Sequence, residues 1–297
     1  MSRRRPPAGE EGMILVNVLM FVAIASGIVL LLISREEVAL DRAIRSREAA
    51  RALAIVRGGE TSAVVALRRD ARDAPDADYV TEPWGAIADS DVPIEGGRFD
   101  LVVADAQGRF NVNLVRGDDL SSQLLFARIA RAAGLDDGQT AAAVGLIQRY
   151  GPIRDLRPIR SAGVPAEVAA RLERLVTALP DATTVNLNAA SVELMAVLFG
   201  DQVVADRLAA TRARQGFLAL SDLADEGVTM PPGAGLRSSY FWVRTRATIG
   251  GTAQQGATLI QRRLGEEGPV VVPVARWRNA AVPPDAPEFA PLREARR

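Results

Sequence analysis

MILVNVLMFVAIASGIVLLLI, residues 13–33, is a run of 21 positions without a charge, in which only Asn17 and Ser26 are clearly polar. As a helix it extends about 31 Å at 1.5 Å per residue, which matches the hydrocarbon thickness of a bilayer. One membrane-spanning helix is the direct reading. Arg3, Arg4 and Arg5 precede the run and most of the chain follows it, so the positive-inside rule places the short end in the cytoplasm and the large part beyond the membrane. Glu10 and Glu11 dilute the charge signal but weigh little on orientation. A cleaved secretory signal is a rival reading, with Ala23-Ile24-Ala25 as a small-x-small site, but the apolar run continues through Ile33, where such a peptide should have turned polar. A plain anchor without processing is the other.

Composition narrows the chemistry. The chain of 297 residues carries 36 basic and 36 acidic side chains, every basic one an arginine, and has no Cys, His or Lys. A thiol nucleophile, a Ser-His-Asp relay, a zinc site of the usual ligands, a Schiff base and a phosphate-loop lysine are all excluded. Carboxylate chemistry survives that filter, but no aromatic-lined cleft signature accompanies the acids, and no enzyme activity is expected. Zero net charge argues against a dedicated nucleic-acid binder.

Beyond the apolar run, residues 34–70 contain no proline and place Leu40 with Ile44, Leu53 with Val56, and Val64 with Leu67 at helical steps. One helix is expected to continue out of the membrane, with Gly58-Gly59 as its weak point or as a break between two helices. From Ala71 to Asp118 ten acidic residues face four arginines, and prolines and glycines end the helical pattern. Arg98–Ala104 within it reads as a strand. Strand patterns return at Tyr240–Ile249, Ala257–Leu264 and Val270–Trp277, so a sheet assembled from both ends of the soluble region is expected. Between them, helices are expected at Leu120–Ala133, Asp137–Tyr150, Pro165–Leu179, Ala189–Phe199, Gln202–Arg214 and Ser221–Asp225. Phe110-Asn111-Val112-Asn113-Leu114 and Val185-Asn186-Leu187-Asn188-Ala189 look like two copies of one device, with Asn113 and Asn188 as caps or turn residues.

The junction Glu11-Gly12 followed by Met13-Ile14-Leu15-Val16 resembles the processing site of type IV pilin-like proteins. The resemblance implies cleavage after Gly12 by a prepilin peptidase and methylation of Met13. That class usually carries a glutamate five residues into the mature sequence, where this chain has Asn17. A carboxylate in lipid is kept only where a partner compensates it, and the K-type minor pseudopilins of the type II secretion system are the members that lack it. Gly108–Leu114, Asn186–Ala189, Ser239-Tyr240-Phe241 and Trp84 are similar to further features of that family, in the same order along the chain.

The resemblance implies an α+β fold: a cytoplasmic leader over 1–12, a transmembrane and spine helix over 13–70, and a pilin-like α/β head from 71–118 and 236–278. A large all-helical insert, similar to SAM and helix-hairpin-helix modules, would span 119–235, and the tail over 279–297 is expected to be disordered. It further implies a non-enzymatic subunit of the inner membrane, single-pass with its large part in the periplasm. Such a subunit caps a pseudopilus and helps start its assembly for the export of folded proteins. Partners would be the minor pseudopilins of the I and J classes, the peptidase, the inner-membrane secretion platform and membrane lipid, with no nucleic acid.

No cofactor or metal is expected. Calcium binds acidic loops in some relatives, but those loops are poor here, and Asp118-Asp119 and Asp136-Asp137 read as helix N-terminal charges. The alternative from another class is a membrane-anchored DNA receptor. Val185–Glu226 resembles helix-hairpin-helix modules, with Phe199-Gly200-Asp201 in place of the phosphate-gripping turn, although one glycine is lost and an aspartate faces the site.

Overall fold

The first helix, α1, runs without interruption from Glu10 to Asp73. The structure is a computed structural model and describes residues 10–74, 76–283 and 286–289, with side chains from Leu15 onward; the leader residues 1–9 lie outside them. The chain divides into two units, residues 1–51 and 52–297. In the first, every side chain from Leu15 to Ile33 is exposed, and the most apolar window reaches a mean hydropathy of 2.7. By length and composition this helix is able to cross a membrane.

In the second unit, the remainder of α1 presents Ala52, Val56, Gly59, Ala63, Leu67 and Asp70 as its buried face, a spacing of three and four that keeps one stripe in register over five turns. That stripe lies on a five-stranded antiparallel sheet of order β1-β2-β7-β8-β9. Its strands are β1 (Ala88–Ile94), β2 (Gly97–Asp105), β7 (Tyr240–Ile249), β8 (Thr252–Gly265) and β9 (Gly268–Arg278). The pairing of β2 with β7, from Gly97 opposite Ile249 to Asp105 opposite Phe241, joins the early and late segments. Leu101 and Val103 of β2 meet Phe241 and Val243 of β7, Ile260 of β8 and Val271 of β9 in a core shared with Ala63 and Leu67 of α1.

Gly58-Gly59 does not break the helix, and the two glycines differ. An added Cβ at Gly58 meets nothing within 4 Å, whereas one at Gly59 would lie 2.8 Å from Thr245 Cγ2 and 2.9 Å from Phe99 Cζ. At Gly59 the helix lies against the sheet with no room for a side chain.

Residues between β2 and β7 form a second core. Its helices are α2 (Leu120–Ala133), α3 (Asp137–Tyr150), α4 (Arg157–Arg160), α5 (Ala166–Leu175), α6 (Val192–Phe199), α7 (Gln202–Gln215) and α8 (Leu220–Asp225). Phe110, Phe126, Ile129, Leu172, Leu194 and Leu208 are among the side chains buried there. This region is not all-helical as expected. Two short parallel pairs close it, β3 (Phe110–Asn111) with β4 (Val176–Thr177), and β5 (Val185–Asn186) with β6 (Ala234–Gly235). The helix expected to reach Leu179 stops at Leu175, because Val176 and Thr177 are taken into the pair with β3.

The tail expected to be disordered is also corrected in part. Ala286 is 3% exposed in a cluster with Tyr240, Trp242 and Leu259, and the Phe289 ring lies 4.8 Å from the Arg244 guanidinium and 4.6 Å from that of Arg246. The sheet face opposite α1 thus receives an apolar cover from the chain's own end. Residues 284, 285 and 290–297 lie outside the described residues.

Candidate functional site

Gly12 and Met13 fall in the first turns of α1, with their side chains outside the described residues, and Asn17 is exposed one turn later among apolar neighbours. The other residues singled out in the sequence converge on the joint between sheet and helical region.

The two asparagine pairs make the same turn. Asn111 Oδ1 accepts from the backbone N–H of Asn113 at 3.1 Å, and Asn186 Oδ1 from that of Asn188 at 2.9 Å. The turn role therefore belongs to the first asparagine of each pair, not to Asn113 and Asn188. Those second residues instead bridge distant backbone. Asn113 donates to the carbonyls of Ile153 and Leu179, both at 2.9 Å, and accepts from Ile153 N–H at 3.0 Å. Asn188 accepts from Leu218 N–H at 2.6 Å. A primary amide is suited to this task because it offers donor and acceptor on one rigid plane.

The copies also touch. A Cβ on Gly108 would come within 2.6 Å of the Ala189 carbonyl oxygen, so only glycine lets the first motif pack against the end of the second. Phe110 of the first motif is 1% exposed and stacks on Phe126 with centroids 6.2 Å apart.

Asn186, fully buried, ties the helical region to the sheet. Its Nδ2 lies 2.7 Å from Asp105 Oδ2 at the end of β2, 2.9 Å from the Asp78 carbonyl and 3.1 Å from Ser238 Oγ. Ser238 Oγ donates to Asp105 Oδ2 at 2.6 Å, and Gln107 N–H to Asp105 Oδ1 at 2.6 Å. Removal from water pushes the Asp105 carboxyl up to about 6 despite those donors. Gln107 continues the joint, donating from Nε2 to the Thr184 carbonyl at 2.9 Å and accepting from Ser239 and Tyr240 N–H.

Next to it, Arg262 of β8 is buried between Asp70 of α1, at 2.8 Å from Nη1, and Asp78, with the Phe241 ring 4.8 Å away. Burial pushes Asp70 up to about 6 and Glu82 up to about 7. Trp84, 1% exposed, donates its indole N–H to Glu82 at 2.9 Å and packs edge-on against Phe241. Sequence reasoning did not find this cluster: its members lie up to 192 residues apart, and the only signal was one arginine, Arg262, in an otherwise buried stretch of β8.

The acidic pairs of the helical region serve as caps. Asp119 accepts from Ser121 and Ser122 N–H at the start of α2, and Asp136 forms a capping box with Gln139 on α3. At the turn compared with a phosphate grip, Gly200 is a left-handed C-cap of α6 and Asp201 accepts from Val203 and Val204 N–H. The amides that would meet a phosphate are occupied by a carboxylate.

No protein-family model matches the chain. It is 24% identical to type II secretion system protein K of Pseudomonas aeruginosa, over 89% of this chain and 92% of that protein. The chain is similar to the type II secretion K proteins. A second K protein, from Klebsiella pneumoniae, is 25% identical over 69% of this chain and 78% of its own length. Among solved structures, the GspK-GspI-GspJ complex from the enterotoxigenic Escherichia coli type 2 secretion system contains a chain with the same fold. It matches with a TM-score of 0.63 at 16% identity, over 80% of this chain and 99% of that one. The mixed α+β architecture expected from the sequence is the one the structure has, and it is shared with that chain.

Proposed function

We propose that this chain is a non-enzymatic minor pseudopilin that sits at the tip of a type II secretion pseudopilus and helps start its assembly. The observation that carries the reading is the helical region built between β2 and β7 and fastened to the sheet by Asn186, Gln107 and Asp105. A subunit stacked next in a filament would have to accommodate that bulk. Asn17 supports the same place: without a carboxylate there, the spine cannot pair with the amine of a neighbouring subunit's mature N-terminus.

In this reading prepilin peptidase cuts after Gly12 and Met13 is methylated. The apolar span holds the subunit in the inner membrane with its large unit in the periplasm, and assembly proceeds with I-class and J-class minor pseudopilins on the inner-membrane platform. The test is dosage. Raising expression of the chain relative to the major pseudopilin is expected to give more and shorter pseudopili by electron microscopy, with the chain labelled at one end only. Label distributed along the filament shaft would contradict a tip position.

A further inference from the structure

Strand β7 packs Phe241 and Val243 into the core shared with α1 and, by alternation, turns Trp242, Arg244 and Arg246 to the opposite face. On that face Trp242 and Trp277 lie with ring centroids 5.2 Å apart, in a cluster with Leu259 and Ala257. Asp100 answers Arg246 at 2.8 Å, whereas the acid acting on Arg244 is Glu288, from the chain's own tail. Tryptophan and arginine side by side are the composition of surfaces that carry binding energy.

Residues 286–289 lie on this face as a bound peptide would. They add no strand to the sheet of β1, β2, β7, β8 and β9, and side chains hold them instead. Ala286 enters the cluster of Tyr240, Trp242 and Leu259, Arg244 Nη1 donates to the Pro287 carbonyl at 2.9 Å, and the Phe289 ring covers both guanidiniums. Removal from water pulls the Arg244 guanidinium below its ordinary value, and Glu288 works against that fall. Each feature of the face thus meets one tail residue. The fit is incomplete beside Pro287, where a cavity of about 40 Å³ has Arg109, Thr177 and Trp242 in its wall. Among the described residues, the buried Oγ1 of that Thr177 has no hydrogen-bond partner.

We infer that the face over Trp242, Arg244 and Arg246 is a recognition site for an extended protein segment of the chemistry Ala-Pro-acid-aromatic. The chain's tail fills it in cis, and such a segment of another protein enters it when the tail lifts. Proline-rich segments dock on aromatic surfaces at small entropic cost because they are already stiff. A ring over a guanidinium adds about 0.5–2 kcal/mol. A tethered occupant acts at an effective concentration on the order of millimolar, so a competitor must bind more tightly than the tail or be held nearby itself. A partner already docked elsewhere on the chain meets the second condition.

The experiment uses the full-length chain in detergent, as wild type and as the double variant Glu288→Ala, Phe289→Ala, whose tail is a poor occupant. A synthetic peptide of residues 282–289, which contains no tryptophan, is titrated in and followed by the protein's tryptophan fluorescence. Saturable binding to the double variant is expected, about tenfold or more tighter than to wild type, where the intact tail competes. Adding Arg244→Ala to the double variant should abolish it, and so should a peptide carrying Phe289→Ala. If the Arg244→Ala chain does not fold, the altered peptide carries the specificity test alone. No saturable binding to the double variant, equal binding to wild type, or binding that survives loss of the ring or of Arg244 would overturn the site.

Discussion

Gly59 of α1 and Thr245 of β7 are in such close approach that one added carbon on the glycine would stand 2.8 Å from the threonine methyl group. Helix and sheet meet there with no room for a side chain, while Gly58, one residue earlier, faces open space. The pair therefore separates two effects that glycine usually mixes, its poor helix propensity and its small size.

Gly58→Ala should stabilise the chain by up to about 1 kcal/mol through helix propensity alone. Gly59→Ala should destabilise it by about 1–3 kcal/mol, because Thr245 and Phe99 must move or the helix must lift. Denaturant midpoints of the full chain compare the two directly. Equal responses would mean that the close approach does not govern packing.

Asn186→Ala removes the amide shared by Asp105, Ser238 and the Asp78 carbonyl, and releases the turn to Asn188. A loss of about 2–4 kcal/mol is expected, more than for an exposed hydrogen bond, since the former partners stay buried without it. The checking measurement is again the unfolding midpoint, with limited proteolysis expected to cut first near residues 182–184.

Asp105 gives a pH dependence of stated sign. Its carboxyl is raised to about 6 from an ordinary value of 3.8. The protonated form is thus favoured by the fold, and this stabilisation is complete below about pH 4 and lost as the pH rises through about 6. The full difference amounts to roughly 3 kcal/mol. Asp105→Asn should flatten the fall in stability between those limits, measured as the difference in unfolding free energy from wild type at each pH. A parallel profile in the variant would assign the pH dependence elsewhere.

The DNA alternative makes the opposite demand on Asp201. With its carboxylate on the Val203 and Val204 amides, the full chain should show no salt-sensitive DNA binding at low ionic strength by fluorescence anisotropy. Asp201→Ala should cost about 1 kcal/mol of stability as a lost cap and still not confer binding. A steep salt dependence in the wild-type chain would restore that reading.

Patterns with period were legible in the sequence, and elements without one were not. The 21-residue apolar run, the alternation from Tyr240 to Ile249 and the caps around α2 and α3 all announce themselves over many positions. β1 did not, because ADSDVPI is an acidic edge strand with Pro93, a bulge between Asp89 and Val92, and little burial. The four residues of α4 and the two-residue strands β3 to β6 are too short for any periodicity. The asparagine motifs were visible as copies, but which asparagine turns the chain and which reaches across it depends on Leu179 and Leu218, brought close only by folding. The same holds for the tail, whose Ala286 and Phe289 are apolar residues in a proline-rich segment and gain their partners from the sheet.

Mass spectrometry of the mature N-terminus, on chain extracted from membranes of cells with an active type II secretion system, tests the pseudopilin reading most directly. The account expects the chain to begin at Met13 with a methylated amine. A chain beginning at Met1, or at Ser26 after ordinary signal cleavage, would contradict it.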